Sequence, residues 1–329
     1  MQAPVYHNAP LNNSSFLVTG GAGFIGSHIV EYLLTNGAKK VRVLDNLSTG
    51  SLENLAHLRQ YTQLDWMEGD IRNTDTCRKA VAGIDFVSHQ AALGSVPRSL
   101  SDPLTTNEVN ISGFLNMLDA SRLAGVKRFV YAASSSTYGD HPDLPKQEGK
   151  IGNPLSPYAV TKFVNELYAG VYSRSYGYHT IGMRYFNIFG PRQNPKGPYA
   201  AVIPLFIEAA LRKEAPFING DGLTSRDFTY VQNAVHANIR SLLKPELHSH
   251  EVVNIAVGNN FSLNTLWEMI CQQLNLNLSP QYRETRAGDV RHSMADISKA
   301  RQLIGYDPLF TMENGLGLTI DWYKQALSL

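Results

Sequence analysis

A glycine-rich turn near the start of the chain, TGGAGFIG, limits the possible folds more than any other feature of the sequence. Its glycines Gly20, Gly23 and Gly26 follow the apolar run FLVTG at 16–20 and open a helical pattern that ends at Gly37. A strand, a glycine turn and a helix in this order bring backbone N–H groups and a helix N-terminus to a pyrophosphate. The context predicts a dinucleotide-binding unit rather than an ordinary turn.

Further apolar runs alternate with helical patterns along the chain, which is typical of a parallel sheet covered on both faces. Strands are predicted at 16–20, 41–45, 64–70, 85–91, 128–136 and 179–190, with one more near 251–256 that returns to the same sheet. The prediction is an α/β fold with a doubly wound parallel (Rossmann) sheet. Residues 1–190 form the cofactor domain, and residues 191–329 form a smaller mixed substrate-binding lobe.

Composition excludes several functional classes. Of the 329 residues, 43% are hydrophobic, and the formal net charge is +1, so nothing favours nucleic acid or a membrane surface as a partner. Cys77 and Cys271 lack metal-ligand spacing, so no metal site is predicted, and two isolated cysteines fit a reducing compartment. Neither a signal peptide nor an apolar run of about 18 residues is found, so a soluble cytoplasmic protein is expected.

An acidic residue at the end of the second predicted strand indicates which cofactor is bound. Asp45 follows Gly26 by 19 positions, where a carboxylate can accept hydrogen bonds from ribose hydroxyls and disfavours a 2′-phosphate. NAD is therefore predicted rather than NADP. Other polar and small residues at strand ends fall on the carboxyl edge of the sheet, where such folds bind their ligands. They are Asp70, Ile71, Gln90, Ala91, Ala92, Ser134, Ser135 and Ser136.

The segment SPYAVTK places a tyrosine and a lysine on one face of a predicted helix. Tyr158 and Lys162 are four residues apart, and Pro157 suits the first position of the helix. A positive charge beside a phenol favours the phenolate, and a tyrosine whose pKa is lowered can act as a base near neutral pH. Ser134 can hydrogen-bond the same substrate oxygen. The group predicts reversible oxidation of an alcohol.

Seven motifs in order then relate nearly the whole chain to one family. They are TGGAGFIG, HQAALGSVPRS, AASSSTYGDHP, SPYAVTK, RYFNIFGPRQ, GDGLTSRDFTYV and RAGDVRHSMAD. In these the chain resembles the extended short-chain dehydrogenase/reductases, and among them the nucleotide-sugar epimerases. LGSVPRS and SSSTYGDHP are most similar to UDP-N-acetylglucosamine 4-epimerases of bacterial surface-polysaccharide pathways.

The resemblance implies roles for individual residues. Tyr158 is the acid/base, Lys162 holds the nicotinamide ribose and lowers the pKa of the tyrosine, and Ser134 is the catalytic Ser/Thr. The implied cofactor contacts are Gly20, Gly23, Phe24, Ile25, Gly26, Asp45, Asn46, Ser48, Thr49, Gly50, Asp70, Ile71, Gln90, Ala91, Ala92, Asn110, Tyr158, Lys162 and Phe186. The implied substrate contacts are Ser95, Ser134, Ser135, Ser136, Tyr158, Asn187, Ala201, Val202, Phe217, Asn219, Arg226, Arg286, Asp289 and Ser293.

Within the substrate set, the resemblance assigns different parts of a UDP-sugar to different residues. Asn187 contacts the diphosphate, and Arg226 with the pair Arg286 and Asp289 clamps the UDP group, which suits the forked donors of a guanidinium. Phe217 and Asn219 either run beside the uracil or belong to a core strand, and these two alternatives stay open.

Small residues favour an acetylated sugar. Epimerases confined to unacetylated sugars carry a tyrosine where this chain has Ser293, so the serine leaves room for an N-acetyl group at C2. Ala201 is also small at a position that faces the sugar in the family. Gly94 replaces a lysine of the galactose-type enzymes, and Ser95 is predicted to contact the sugar instead.

The implied reaction is reversible C4 epimerisation of a UDP-N-acetylhexosamine (UDP-GlcNAc and UDP-GalNAc), with UDP-Glc and UDP-Gal as further candidate substrates. NAD takes up and returns the C4 hydride while the 4-keto sugar turns about its diphosphate. Similar dehydratases carry Asp-Glu, and decarboxylases a Glu, just after the catalytic residue, whereas Ser134 is followed by Ser135, Ser136 and Thr137. The main alternative is a UDP-uronic acid 4-epimerase. The family also implies a homodimer formed through the helix of Tyr158.

Overall fold

The structure is a computed structural model that describes residues 4–195, 200–285 and 291–327. Its strands are β1 Ser15–Thr19, β2 Lys40–Asp45, β3 Leu64–Glu68, β4 Phe86–His89, β5 Arg128–Ser134, β6 Thr180–Tyr185, β7 Ile188–Phe189, β8 Phe217–Asn219, β9 Ser225–Arg226, β10 Thr229–Tyr230, β11 Glu251–Ile255, β12 Phe261–Ser262 and β13 Gln281–Arg283.

The helices alternate with the strands along the chain. They are α1 Phe24–Thr35, α2 Thr74–Val81, α3 Val96–Ser101, α4 Pro103–Asn107, α5 Phe114–Leu123, α6 Pro157–Tyr176, α7 Val202–Leu211, α8 Val231–Leu242, α9 Leu263–Leu274, α10 Ser298–Ile304 and α11 Met312–Ala326. Short 3₁₀ turns lie at Leu52–Leu58 and Ser135–Tyr138, and a π-helical turn lies at Glu108–Gly113.

Seven parallel strands form the central sheet, in the order β11-β6-β5-β4-β1-β2-β3. Successive side chains of β1 point to opposite faces: Phe16 and Val18 pack in a core with α1, whereas Leu17 packs in a second core with α5. Both faces are therefore buried, and the predicted doubly wound α/β fold is confirmed.

The predicted strand at 179–190 is wrong as a single element. β6 ends at Tyr185, and Asn187 has a φ of 38°, in the left-handed region. The chain turns there and leaves the central sheet, and Ile188–Phe189 pairs with β10 instead. Strand β11 then comes from the second half of the sequence and pairs with β6. A third core, around Phe206 and Trp267, lies among the helices that follow.

A buried ion pair attaches α6 to the central sheet. The guanidinium of Arg184 on β6 donates two hydrogen bonds to the carboxylate of Glu166 on α6, at 2.9 and 2.7 Å. Both side chains are buried. Such a bidentate pair fixes orientation as well as distance. It therefore sets the position of the helix that carries Tyr158 and Lys162.

Candidate active site

The glycine turn has room for nothing larger than glycine at two positions. Gly20 has a φ of +66°, and a Cβ added there would lie 2.7 Å from the backbone N of Ala91. A Cβ at Gly26 would lie 2.1 Å from the carbonyl oxygen of Gly20. Gly23 precedes α1, and no side chain caps the N-terminus of that helix. Its first N–H groups are therefore directed at the turn, as an anion site requires.

Asp45 fixes this turn to the end of β2. Its carboxylate accepts hydrogen bonds from the backbone N–H of Ala22 at 3.0 Å and of Leu47 at 2.8 Å. Burial raises the pKa of the carboxyl above its ordinary value, although these hydrogen bonds oppose the effect. A carboxylate has about four acceptor sites, so Asp45 can still accept from ribose hydroxyls.

A cavity of about 540 Å³ opens at the carboxyl edge of the sheet beside the turn. From the predicted cofactor set it is lined by Gly20, Gly23, Phe24, Ile25, Gly26, Asp45, Asn46, Ser48, Thr49, Asp70, Ile71, Gln90, Ala91, Ala92, Tyr158 and Lys162. These residues come from the carboxyl ends of four different strands, from the first turn of α1 and from α6. The fold thus brings most of the set to one surface, and a dinucleotide fits the donors and acceptors there.

Three residues of the predicted cofactor set lie behind the lining of this cavity. Asn110 is buried and exchanges hydrogen bonds with the backbone of Leu93, at 2.8 Å to its N and 3.1 Å to its O. Phe186 is fully buried and packs near Tyr138. Gly50 packs against Asp45 and the backbone beside the glycine turn. Direct contact between these three and the cofactor stays a prediction.

The helix α6 delivers the tyrosine and the lysine to the same cavity. Ser156 caps the helix by accepting a hydrogen bond from the N–H of Ala159 at 3.1 Å, and Pro157 occupies its first position. The Lys162 ammonium donates to the carbonyl oxygen of Ala132 on β5 at 2.8 Å and lies 5.9 Å from the centre of the Tyr158 ring.

Burial controls the pKa values of both groups. It lowers the pKa of Lys162 to about 8 and raises the pKa of Tyr158 above its ordinary value, although a hydrogen bond with Ser134 opposes the latter. Burial therefore opposes the effect that is predicted for Lys162 on the pKa of the tyrosine, and that role of Lys162 stays a prediction. Burial has this effect because desolvation disfavours both charged forms.

Ser134 ends β5 beside these two residues. Its hydroxyl oxygen accepts hydrogen bonds from the hydroxyl of Ser136 at 2.8 Å and from the backbone N–H of Ser136 at 3.2 Å. Ser134 and Ser135 line the cavity with Tyr158, and Ser95 lines it from the start of α3. Ser136 supports the Ser134 hydroxyl and does not line the cavity.

A second cavity of about 710 Å³ adjoins the first. From the predicted substrate set it is lined by Asn187, Ala201, Val202, Phe217, Asn219 and Arg226. Phe217 and Asn219 are exposed, and Ile218 between them is buried. The side chains of Phe217 and Asn219 are therefore not part of a core, and their position beside the uracil stays a prediction. Asn187, Ile188 and Gln193 line both cavities.

The structure does not place Ser293 in the lining of these cavities. The backbone N–H of Ser293 donates to the carbonyl oxygen of Ser225 at 3.1 Å, next to Arg226, but Ser293 is not part of the lining of either cavity. Arg226 itself donates to the carbonyl oxygen of Ser225 at 2.9 Å. Arg286 and Asp289 lie outside the described residues.

Several residues that line these cavities were not predicted, among them Gln193, Tyr185 and Arg283. Gln193 lies where the cavities meet, and Tyr185 donates a hydrogen bond to Gln90 at 3.0 Å in the first cavity. Both belong to the quoted run RYFNIFGPRQ, which is the signal that marks them. Arg283 stacks over the ring of Phe217, with its guanidinium carbon 3.2 Å from the ring centre. Only the pairing of β13 with β8 brings these two together.

The fold and the cavity define an NAD-binding enzyme of the dehydrogenase type, with a tyrosine and a lysine one helical turn apart. The profile of the NAD dependent epimerase/dehydratase family matches residues 16–256. The chain belongs to this family, and NAD is its cofactor. Within residues 4–195, 200–285 and 291–327, no cluster of His, Cys, Asp or Glu could hold a metal ion. No helix in those ranges has the length and apolar character to cross a membrane.

Named relatives are similar over nearly the whole chain. A UDP-N-acetylglucosamine 4-epimerase from Methanobrevibacter ruminantium, solved with UDP-N-acetylmuramic acid, is 40% identical, with a TM-score of 0.90 over 95% of this chain and 99% of that one. A putative UDP-glucose 4-epimerase of Methanocaldococcus jannaschii is 37% identical over 94% of this chain and 98% of its own length. A UDP-glucuronate 4-epimerase of Thermodesulfobacterium geofontis is 34% identical over 95% and 97%.

Proposed function

We propose that this enzyme interconverts the C4 epimers of a UDP-sugar and that its preferred pair is UDP-GlcNAc and UDP-GalNAc. The observation that carries the proposal is the meeting of two cavities. One holds the dinucleotide cradle with Tyr158, Lys162 and Ser134, and the other is lined by the guanidinium groups of Arg226 and Arg283. A hydroxyl beside Tyr158 can thus belong to a substrate whose diphosphate lies among cations.

The residues of the chain would handle the proton of the reacting hydroxyl. Bound NAD supplies the reversible acceptor for the hydrogen at C4. Tyr158 removes the proton of the 4-hydroxyl and later returns it, and Ser134 hydrogen-bonds the same oxygen. Because burial raises the pKa of Tyr158, the positive charge of Lys162 and that of the oxidised cofactor would together favour the phenolate. The UDP contacts keep one end of the substrate in place while the sugar turns.

The turn after Ser134 argues against elimination and decarboxylation. Ser135, Ser136 and Thr137 form the 3₁₀ turn at Ser135–Tyr138, so this position offers hydroxyl groups and no carboxylate. A dehydratase or a decarboxylase needs one more acid or base at the sugar. Epimerisation requires only the group that already handles the proton of the 4-hydroxyl.

The space around the sugar supports an acetylated substrate. Ala201 and Val202 present small side chains to the second cavity, and a Cβ added at Gly94 would meet nothing within 4 Å. An acetamido group at C2 can therefore be accommodated without displacing a large side chain. A UDP-uronic acid is the second candidate, because Arg283 is an exposed cation in the substrate cavity and suits a carboxylate as well as a phosphate.

Incubation with single substrates tests the proposed substrate class. UDP-GlcNAc, UDP-Glc and UDP-glucuronate are each mixed with the enzyme, and the C4 epimer is followed by NMR. We expect UDP-GalNAc to form with the highest kcat/KM. Faster conversion of UDP-glucuronate would show that the uronic acid, and not the acetylated sugar, is the preferred substrate. Conversion of none of the three would refute the proposed function.

Ser293→Tyr is expected to reduce turnover of UDP-GlcNAc about tenfold more than turnover of UDP-Glc. Ser293 lies beside Ser225, next to Arg226, and the longer side chain of a tyrosine would reach into the cavity that Arg226 lines and meet an acetamido group first. A discrimination of this size corresponds to about 1.4 kcal/mol. We compare kcat/KM for UDP-GlcNAc and for UDP-Glc in this variant with the same two values in Ser298→Tyr. Ser298→Tyr is a matched change at the start of α10. Equal losses on both sugars would show that Ser293 does not act at C2.

We also propose that the enzyme is a cytoplasmic homodimer formed through α6. Val160, Leu167 and Val171 are exposed apolar residues at helical spacing on this helix, and Leu104 of α4 is 76% exposed. A patch of aligned apolar side chains is typical of an interface. Light scattering should give twice the chain mass for the native protein and one chain mass for Leu167→Glu; a native monomer would contradict the proposal.

A further inference from the structure

The segment 187–193, which we call the dividing loop, lies where the first cavity meets the second. Asn187, Ile188 and Gln193 line both cavities. The first end of the loop is fixed to the C-terminal half of the chain. The side-chain amide of Asn187 donates a hydrogen bond to the carbonyl oxygen of Asp227 at 3.0 Å. The backbone N–H of Thr229 donates a hydrogen bond to the carbonyl oxygen of Asn187 at 3.3 Å.

The second end of the dividing loop is fixed to α1, the helix that starts at the glycine turn. His28 is buried, and its Nε2 donates to the carbonyl oxygen of Pro191 at 2.9 Å. The Arg192 guanidinium donates to the hydroxyl of Ser27 at 3.3 Å and forms an ion pair with Glu31. The dividing loop is thus attached at its first end to the C-terminal half of the chain and at its second end to α1.

Arg192 makes several contacts with α1 and adopts an unusual backbone conformation. Its φ is +66°, a region that residues with a Cβ rarely adopt. His57 completes the group, with its Nε2 3.3 Å from Glu31 Oε1 and 3.4 Å from the Arg192 guanidinium. Side-chain exposure is only 14% for Arg192 and 32% for Glu31, so solvent screens the pair incompletely.

We propose that Arg192 and Glu31 are positioning residues that hold the dividing loop against α1, so that the sugar stays enclosed while it turns. This inference rests on the proposed function. Neither residue belongs to the described lining of either cavity, so their effect must pass through the loop. The enclosure matters because the 4-keto sugar has no covalent bond to the protein.

A loosened loop has a specific chemical consequence. The substrate has by then lost hydrogen from C4 to the cofactor and a proton from its 4-hydroxyl to Tyr158. If the sugar leaves at that stage, free UDP-4-keto sugar appears in solution, and the enzyme retains an equal amount of reduced cofactor. General unfolding would not produce this product, because it would stop the oxidation as well.

The test compares Arg192→Met with Arg192→Lys and with Arg301→Met, a control that removes the exposed ion pair between Arg301 and Asp307. Hydrogen exchange of the dividing loop is measured without substrate, and free 4-keto sugar is measured by mass spectrometry after incubation with UDP-GlcNAc. For Arg192→Met we expect about tenfold faster exchange in the loop, about tenfold lower kcat and more released keto sugar. Arg192→Lys should restore part of each value, and Arg301→Met should match the native protein.

Normal exchange and no additional keto sugar in Arg192→Met would overturn the inference. Glu31→Gln keeps the arginine and provides the same test if Arg192→Met does not fold, and native behaviour of that variant would overturn it equally. If the native enzyme converts none of the UDP-sugars, the proposed function fails, whereas the exchange measurement still decides whether Arg192 holds the loop.

Discussion

Tyr158→Phe should lower kcat about 10³-fold and leave the fold and NAD content unchanged. The ring stays in the first turn of α6, where the helix cap at Ser156 and the buried pair of Arg184 with Glu166 keep the backbone in place. Only the hydroxyl that we propose to exchange a proton with the sugar is lost. Positioned proton transfer contributes about 10² to 10⁴ to enzymatic rates, which sets the expected size.

Initial rates with UDP-GlcNAc, thermal unfolding and NAD content of the purified protein check this expectation. Tyr176→Phe is the matched control, since it removes the same atom from the exposed end of the same helix. We expect that control to keep native kinetics. If Tyr158→Phe retained more than about a tenth of the native kcat, another group would have to carry the proton.

Gly26→Ala should leave the protein almost without bound NAD. The added Cβ would lie 2.1 Å from the carbonyl oxygen of Gly20, where non-bonded atoms approach only to about 3.5 Å. The turn must move, and the N-terminus of α1 then no longer faces the pyrophosphate. A displacement that costs about 3 kcal/mol of binding corresponds to about 100-fold weaker affinity.

Calorimetric titration with NAD and the cofactor content of the purified protein measure this loss. Gly149→Ala is the control, because a Cβ there meets nothing within 4 Å and its backbone does not require glycine. Native affinity in Gly26→Ala would show that the glycine turn does not approach the dinucleotide. That result would refute the proposed role of the glycine turn in cofactor binding and would leave the proposed role of Tyr158 unaffected.

The fold class could be predicted because its signals are local. Each predicted strand of the main sheet is an apolar run next to a helical pattern, and the glycine turn identifies the first strand and helix by itself. The limits of the strands were less predictable. The run at 179–190 is mostly apolar, but Asn187 adopts a left-handed φ of 38°, and a hydrogen bond to Asp227 from a distant part of the chain holds it there.

The residues of the candidate site could likewise be predicted only in part. The glycines, Asp45, Tyr158 and Lys162 form a pattern within short segments, so their meeting at one cavity could be anticipated from the fold. Arg283 was missed because its position over Phe217 depends on the pairing of β13 with β8. Sequence reasoning also placed Ser293 at the sugar; it lies beside Ser225, outside the lining of both cavities, and its contact with a sugar stays a prediction.

The pKa of Tyr158 shows where a sequence pattern is insufficient. The spacing of Tyr158 and Lys162 predicts their proximity, and the two are close. Their burial is a property of the whole fold, and it works against both charges. The proposed base therefore depends on the cofactor for part of its activation.

The proposed function requires that C4 of a UDP-sugar is oxidised and reduced again within one site. The most direct test uses UDP-GlcNAc carrying deuterium at C4, incubated with the NAD-loaded enzyme in ordinary water and followed by NMR and mass spectrometry. We predict that the UDP-GalNAc formed keeps its deuterium at C4 and gains no hydrogen from solvent. Replacement of the deuterium by solvent hydrogen at C4, or product formation without any change at C4, would contradict the account.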